Sequence, residues 1–310
     1  MNVAGNDALE PARPAPGRLR VAAGLLRVHQ WVKNALVFVP AASAHAVGRE
    51  PYARSALAFV AFCLCASSAY VTNDLLDVEQ DRRSPARAGR PIAAGRVTPR
   101  AAVLVGAGTF LTGLALAAAA LPLSFCMLLV GYWATSVVYS LRLKRVPVLD
   151  VIVLAGLYAL RVLAGTLATG IPTSSWLLTF AMFAFLSLAL VKRVSGLQML
   201  PPGRAGTSGH GYCTGDIEVL SQVGVACGLV AVLVLALYIS NPDVTRLYAH
   251  HERLWLLCPL GMFWEARVWL LARRGLVHED PVVFALRDRF GYAVGLAAAA
   301  VVVLSTLGGR

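Results

Sequence analysis

Long apolar blocks alternate along this chain with short charged connections, and each block is close to the ~20 residues needed to cross a hydrocarbon core about 30 Å thick. They place nine expected spans, at about 26–47, 55–75, 101–121, 123–141, 148–168, 175–192, 219–240, 254–272 and 290–308. All nine are expected to be helices, because only helices and closed barrels satisfy the backbone within lipid. The first is the weakest, interrupted by Lys33, Pro40 and His45. The fold class is therefore all-α and polytopic. Residues 1–20 are expected to form a disordered Pro/Ala-rich tail without an apolar signal-peptide core, and 21–310 a single transmembrane domain.

Composition agrees, with 58% hydrophobic and only 14% charged residues leaving no sizeable soluble domain. The net charge of +12 could suggest nucleic acid, but the basic residues sit in short loops rather than on one stripe, so no nucleic-acid partner is expected. Membrane orientation explains them better. With the N-terminus in the cytoplasm, most of the 28 Lys and Arg fall on the inner side, and only Arg49, Arg54, Arg246, Arg253 and Arg310 fall outside. A multi-pass protein of the cell inner (plasma) membrane follows, with its long charged loops in the cytoplasm. The six cysteines show no metal spacing and read as small core residues.

The candidate chemistry lies where the second span ends, in Asn73-Asp74-Leu75-Leu76-Asp77-Val78-Glu79-Gln80-Asp81-Arg82-Arg83, followed by Arg87, Arg90 and Arg96. A continuous helix would put Asn73, Asp77 and Asp81 at i, i+4 and i+8, with Asp74 on the same face. Like charges so placed repel and call for a cation. Clustered carboxylate oxygens suit Mg²⁺, which usually takes one or two carboxylates and completes its shell with water and substrate phosphates. Asp74, Asp77 and Asp81 are thus candidate metal ligands, and the arginines downstream are candidate phosphate binders. The bland alternative is a solvated loop whose acids and arginines pair with one another.

Further polar residues interrupt apolar spans. Arg161 lies near the middle of the fifth span, and a charge there faces either a cavity or a buried acid such as Asp150 or Glu265. Gly156, Ala159, Ala164 and Gly165 read as helix-packing positions. Tyr139, Arg142, Lys144 and Arg145 end the fourth span on the same side as the Asp-rich run, and Lys192-Arg193 end the sixth. Asp216 and Glu218 could complete a metal shell, although Asp216 could equally cap a helix. Asp280 before Pro281 reads as a helix start, and Asp288 has no assigned role. No phosphate-loop, His-Glu-x-x-His or Gly-x-Ser-x-Gly pattern is present.

Asn73-Asp74-x-x-Asp77-x-x-x-Asp81, Arg90 to Gly95 (Arg-Pro-Ile-Ala-Ala-Gly), and Tyr139 with Lys144-Arg145 together resemble the UbiA-type intramembrane prenyltransferases. The resemblance covers most of the chain from about residue 24. It implies a helix-lined cavity open to the cytoplasm, with a Mg²⁺-diphosphate substrate bound at its mouth and its organic group passed to an acceptor. His29 to Asn34, Leu160-Arg161 and Lys192-Arg193 are similar to the branch that makes polyprenyl-phosphoryl phosphoribose. Val194 and Gly196 depart from that branch, which carries tyrosine and glutamate there.

By that resemblance the partners are a soluble diphosphate donor, phosphoribosyl diphosphate, and a polyprenyl phosphate in the membrane. Asp74, Asp77, Lys33 and Arg161 would be catalytic, and Asn73, Arg83, Arg90, Tyr139, Lys144 and Lys192 would bind substrate phosphates. Two other functions stay open. One is prenyl transfer from a prenyl diphosphate to an aromatic or other lipophilic acceptor. The other is transport, disfavoured because the acids cluster at a loop rather than at midplane in broken helices. The sequence leaves the oligomeric state open.

Overall fold

A computed structural model describes residues 17–85, 87–172, 174–199, 210–245, 247–277, 284 and 288–306. Asp280 and most of the expected tail, 1–16, lie outside the described residues. The elements are α1 (Arg18–Leu25), a 3₁₀ segment (Val28–Phe38), α2 (Val39–Ser43), α3 (Glu50–Leu76), α4 (Val78–Arg82), α5 (Pro99–Ala120), α6 (Leu123–Leu141), α7 (Leu149–Thr169), α8 (Ser175–Gln198), α9 (Ile217–Ile239), α10 (Pro242–Thr245), α11 (Leu257–Arg273) and α12 (Arg289–Thr306). No strand occurs among the described residues.

Among the described residues eight helices are long and apolar enough to cross a membrane, where nine spans were expected. The expected span at 26–47 is instead the 3₁₀ segment followed by the single turn and a half of α2. Two features in the sequence account for this. Pro40 lacks the N–H that a continuous helix would donate four residues back, and Lys33 and Asn34 are buried polar side chains that need partners on neighbouring helices. Elsewhere the boundaries follow the expected spans. Thr98 caps α5 by accepting from the Ala101 amide with Pro99 at the first helical position, Ser174 caps α8, and α7 stops at Gly170 in the left-handed region, φ +73°.

Packing falls into two groups that meet along α7 and α8. In the first, α3 is nearly surrounded by the 3₁₀ segment, α5, α6 and α7, with Phe62, Cys65, Phe125, Leu129 and Ala164 in its core. The second joins α8, α9 and α11 around Leu190, Val194, Leu197, Trp269 and Ala272. Lipid is as apolar as leucine, so these contacts gain little from leaving lipid and depend on close backbone approach. Two glycines provide it. A Cβ at Gly113 of α5 would lie 2.9 Å from the Ala61 carbonyl oxygen of α3, and one at Gly165 of α7 would lie 2.0 Å from the Val37 carbonyl oxygen of the 3₁₀ segment. Gly156 faces open space, so the packing role expected for it does not hold.

The broken first segment is also stapled by polar bonds. Trp31 donates to the Ser67 hydroxyl (2.9 Å), Ser67 donates to the Leu26 carbonyl (2.8 Å), and Asn34 donates to the Cys63 sulfur (3.2 Å). Between α11 and α12, Arg267 holds Asp288 through two bonds of 3.1 and 3.0 Å. Asp288 also accepts from the Gly291 amide, so its role is to anchor the start of α12.

Because the obstacle at Gly165 is backbone rather than a flexible side chain, Gly165→Ala should cost about 1–3 kcal/mol of overpacking. Its melting temperature in detergent should drop, while Gly156→Ala stays near wild type.

Candidate active site

The end of α3, the end of α6, the start of α7 and the end of α8 surround a cavity of about 220 Å³. Its inner end is Arg161, two helical turns along α7 from Leu154. This buried guanidinium donates to Asn34 Oδ1 (2.8 Å), to the Tyr132 hydroxyl (3.0 Å) and to the Leu157 carbonyl. The rings of Phe62, Tyr132 and Tyr158 lie 5.2–5.3 Å from it, within cation–π range. These partners are all neutral. Neither acid considered from sequence is its partner, for Asp150 pairs with Arg193 and Glu265 accepts from Ser187 and Trp269.

The Asp-rich run does not stay on one helix. α3 ends at Leu76, Asp77 occupies the break with φ −101° and ψ 8°, and α4 starts at Val78. The expected single acidic face is thereby split. Asp74 and Asp81 are buried and share Arg90, whose Nη1 lies 3.0 Å from Asp74 and 2.6 Å from Asp81; Arg27 also binds Asp74. Burial lowers the pKa of Arg90, with the Arg27 charge adding to the effect and the two carboxylates opposing it. Asp77 instead opens on the cavity beside Asn73 and pairs with Lys144 at 2.5 Å. The acids and arginines do pair with each other, as in the bland reading, but two of the acids are buried rather than solvated.

Of the expected site residues, Lys33, Asn73, Asp77, Arg90, Tyr139, Lys144, Arg161 and Lys192 line the cavity. Lys33 is buried with its ammonium 5.6 Å from the Tyr158 ring centre. Asp74 and Asp81 are not part of the lining; both are buried against Arg90, which is. Arg83 is exposed and also outside it, while Arg87, another of the downstream arginines, lines it together with Arg27 from the segment before α3. Asp216 accepts from the Cys213 amide (2.8 Å), and Glu218 accepts from Gln222 (3.4 Å), so both have local roles away from the cavity.

Tyr132, Ser136 and Ser140 were missed, although together with the expected Tyr139 their i, i+4, i+7, i+8 spacing makes a polar stripe on an otherwise apolar helix. Arg193 was part of the Lys192-Arg193 resemblance, but only Lys192 was expected in the site. It is buried, pairs with Asp150 at 2.6 Å, and donates to the Tyr139 hydroxyl at 2.7 Å. Asp150, fully buried, also accepts from Tyr212, whose hydroxyl takes the Val148 amide at 2.7 Å. His210 joins the lining too, with no sequence signal beyond its place in a polar loop.

Among the described residues no three His, Cys, Asp or Glu side chains converge on one point. A metal caged entirely by protein is therefore not what these residues offer. What they offer is the Asp77 carboxylate and the Asn73 amide at the cavity, and behind them a buried Asp81 Oδ1 without a hydrogen-bond partner, which Arg87 approaches only to 3.8 Å. A few hard oxygens facing a basic cavity fit a divalent cation such as Mg²⁺ that draws most of its shell from water and a diphosphate.

A sequence model of the UbiA prenyltransferase family matches residues 35–275. The chain belongs to this family. Uncharacterized protein y4nM of Sinorhizobium fredii is 37% identical over 90% of this chain, and the chain spans only 55% of that protein's length. Nodulation protein NoeC of Azorhizobium caulinodans is 32% identical, over 87% of this chain and 90% of NoeC. Decaprenyl-phosphate phosphoribosyltransferase of Corynebacterium glutamicum is 40% identical, over 54% of this chain and 52% of that enzyme. Among solved structures, a UbiA homolog from Archaeoglobus fulgidus bound to GPP and Mg²⁺ superposes with a TM-score of 0.66 at 18% identity, over 93% of this chain and 100% of that one. This UbiA member thus shares the family's helical fold.

Asp150→Asn would leave the buried Arg193 charge without its carboxylate, at a cost of about 3–5 kcal/mol. Arg161→Gln strands no acid. Thermal unfolding in detergent should therefore rank Asp150→Asn well below Arg161→Gln, and the reverse order would show that Arg161 neutralises a carboxylate.

Proposed function

We propose that this UbiA member transfers 5-phosphoribose from phosphoribosyl diphosphate to a polyprenyl phosphate, at the cytoplasmic face of the plasma membrane and with Mg²⁺. The observation that carries the reading is the charge pattern of the cavity. Asp77 and Asn73 stand at one side, cationic groups surround the space, and a guanidinium held by neutral groups forms its inner end. Such a cavity suits ligands that are strongly anionic at both reacting ends. The phosphoribosyltransferase relatives support the donor, over little more than half of the chain. The excess of Lys and Arg in the loops at this end supports the cytoplasmic orientation.

In the proposed reaction a phosphate oxygen of the lipid attacks the anomeric carbon of the donor. The anomeric C–O bond breaks, a new C–O bond to the lipid phosphate forms, and diphosphate leaves. The attacking oxygen is already anionic, so no general base is required. When bound, Mg²⁺ supplies neutralisation of the charge that builds on the leaving diphosphate. Asp77 and Asn73 are its proposed ligands, with Asp81 behind them. Lys144 can release Asp77 and turn to a phosphate oxygen, because its ammonium is a compact charge on a flexible stem. Lys33, Lys192 and Arg161 hold the remaining phosphate oxygens and keep the reacting groups in register. Arg90 keeps Asp74 and Asp81 together and presents its own charge to the cavity.

A second reading is prenyl transfer. It draws on the Archaeoglobus fulgidus homolog bound to GPP and Mg²⁺ and on the aromatic walls of Tyr70, Tyr132 and Tyr158. Purified protein given Mg²⁺, polyprenyl phosphate and labelled phosphoribosyl diphosphate should produce a labelled lipid. Labelled prenyl diphosphate, offered with an aromatic acceptor, should not be consumed; the opposite pattern would establish prenyl transfer. Asp77→Asn should fold normally yet lose more than about tenfold in turnover, the loss equivalent to roughly 1.4 kcal/mol of transition-state stabilisation. A smaller loss would remove Asp77 from the metal.

A further inference from the structure

The cavity is dominated by cationic groups that can only donate, and its acceptors are the Asp77 carboxylate and a few amides and hydroxyls. Arg27, Lys33, Arg90, Arg161, Lys192 and Arg193 line it, and guanidinium and ammonium groups can only donate. Asp77 already accepts from Lys144, and the Tyr139 hydroxyl already accepts from Arg193. His210 stands apart in this company. Its Nδ1 lies 2.9 Å from the Lys144 carbonyl oxygen, which can only accept. Nδ1 therefore carries the ring proton and Nε2 keeps a lone pair.

The residues around His210 fix its position. Gly211 has φ +76°, and a Cβ there would lie 2.8 Å from the Arg145 carbonyl oxygen and 3.1 Å from Pro147, so the loop lies tightly against the connection between α6 and α7. Tyr212 is clamped in turn by Asp150 and the Val148 amide. Burial, and after it the charges of Arg193, Lys192 and Lys144, push the imidazole pKa down to about 3, only partly opposed by the Lys144 carbonyl. The ring is thus neutral at physiological pH. So weak a base will not take a proton from a hydroxyl, but it can accept a hydrogen bond from one.

We infer that His210 is a specificity-determining residue whose Nε2 accepts a hydrogen bond from a hydroxyl group of a sugar diphosphate. This rests on the phosphoribosyl reading above and deepens it. Cations can hold the phosphates of any diphosphate, prenyl diphosphates included, and so do not discriminate between donors. A sugar hydroxyl must also donate a hydrogen bond, which a prenyl chain cannot do. A positioned neutral acceptor is what separates the two classes, because sites built to bond a hydroxyl reject analogues that lack it.

The test uses the full-length protein in detergent with Mg²⁺ and measures binding of phosphoribosyl diphosphate, its 2-deoxy and 3-deoxy analogues, inorganic diphosphate and geranyl diphosphate. His210→Asn keeps an amide donor near Nδ1 but removes the acceptor at Nε2, whereas His210→Gln returns an amide to the Nε2 position. His210→Asn should weaken phosphoribosyl diphosphate roughly tenfold, the value of one hydrogen bond, and leave inorganic diphosphate unchanged. His210→Gln should recover much of the loss. Wild type should bind one deoxy analogue about as weakly as His210→Asn binds the parent, and that analogue should lose nothing further in the variant. Equal weakening of phosphoribosyl diphosphate and inorganic diphosphate would show that His210 only braces Lys144, which overturns the inference. Wild-type protein that binds both deoxy analogues as tightly as the parent overturns it without any variant. Binding of geranyl diphosphate but not phosphoribosyl diphosphate by wild type would instead remove the donor assignment itself.

Discussion

A permanent charge buried among apolar helices constrains this structure more than any other feature. Arg161 cannot shed its proton, and desolvating it is costly unless its five N–H groups find partners. The chain supplies those partners from three directions: Asn34 from the 3₁₀ segment, Tyr132 from α6 and the Leu157 carbonyl from α7 itself. Asn34 reaches it from the broken first segment, which lies directly on Gly165 through the Val37 carbonyl. The absence of a ninth continuous span is therefore linked to the cavity's inner end. Three aromatic faces shield the cation while leaving it without a carboxylate partner of its own.

Nearer the mouth the logic is reversed, since nearly every charge there has a partner. Arg90 bridges Asp74 and Asp81, Lys144 meets Asp77, and Arg193 meets Asp150. The pairs differ in burial. Asp150 is fully enclosed and tied by Tyr212 as well, which makes it a fixed strut between α7, α8 and the loop at 210–213. Asp77 sits at a helix break with its partner on a lysine stem, an arrangement suited to exchange when another ion arrives.

Much of this could be read in the sequence, and the parts that could not have physical explanations. Apolar length located eight spans because hydrocarbon thickness sets that length, and the Asp-rich run at the end of α3 adjoins the cavity through Asn73 and Asp77. The run 26–47 misled because its apolar content is high enough for a helix, while its form is dictated by Lys33, Asn34 and Pro40. The helical spacing assumed one continuous helix; Asp74 and Asp81 stay together through Arg90, and no glycine or proline announces the break at Asp77. Arg83 and Arg87 were equally plausible phosphate binders from sequence; the loop's path, which sequence does not specify, exposes the first and brings the second to the cavity. The Tyr132 to Ser140 stripe was legible all along, since hydroxyls repeating at helical period in a membrane helix have to face something other than lipid.

The small size of the cavity has its own consequence for the proposed acceptor. About 220 Å³ lies between the helix break at Asp77 and the guanidinium of Arg161. A long isoprenoid is far larger than this space, so in the proposed reaction the cavity would hold the head groups and the repeating units would lie outside it. Bound in that way, the lipid would not be measured by this cavity. The protein would read the phosphate and the carbons next to it, and the number of units beyond would be decided by whichever enzyme built the chain.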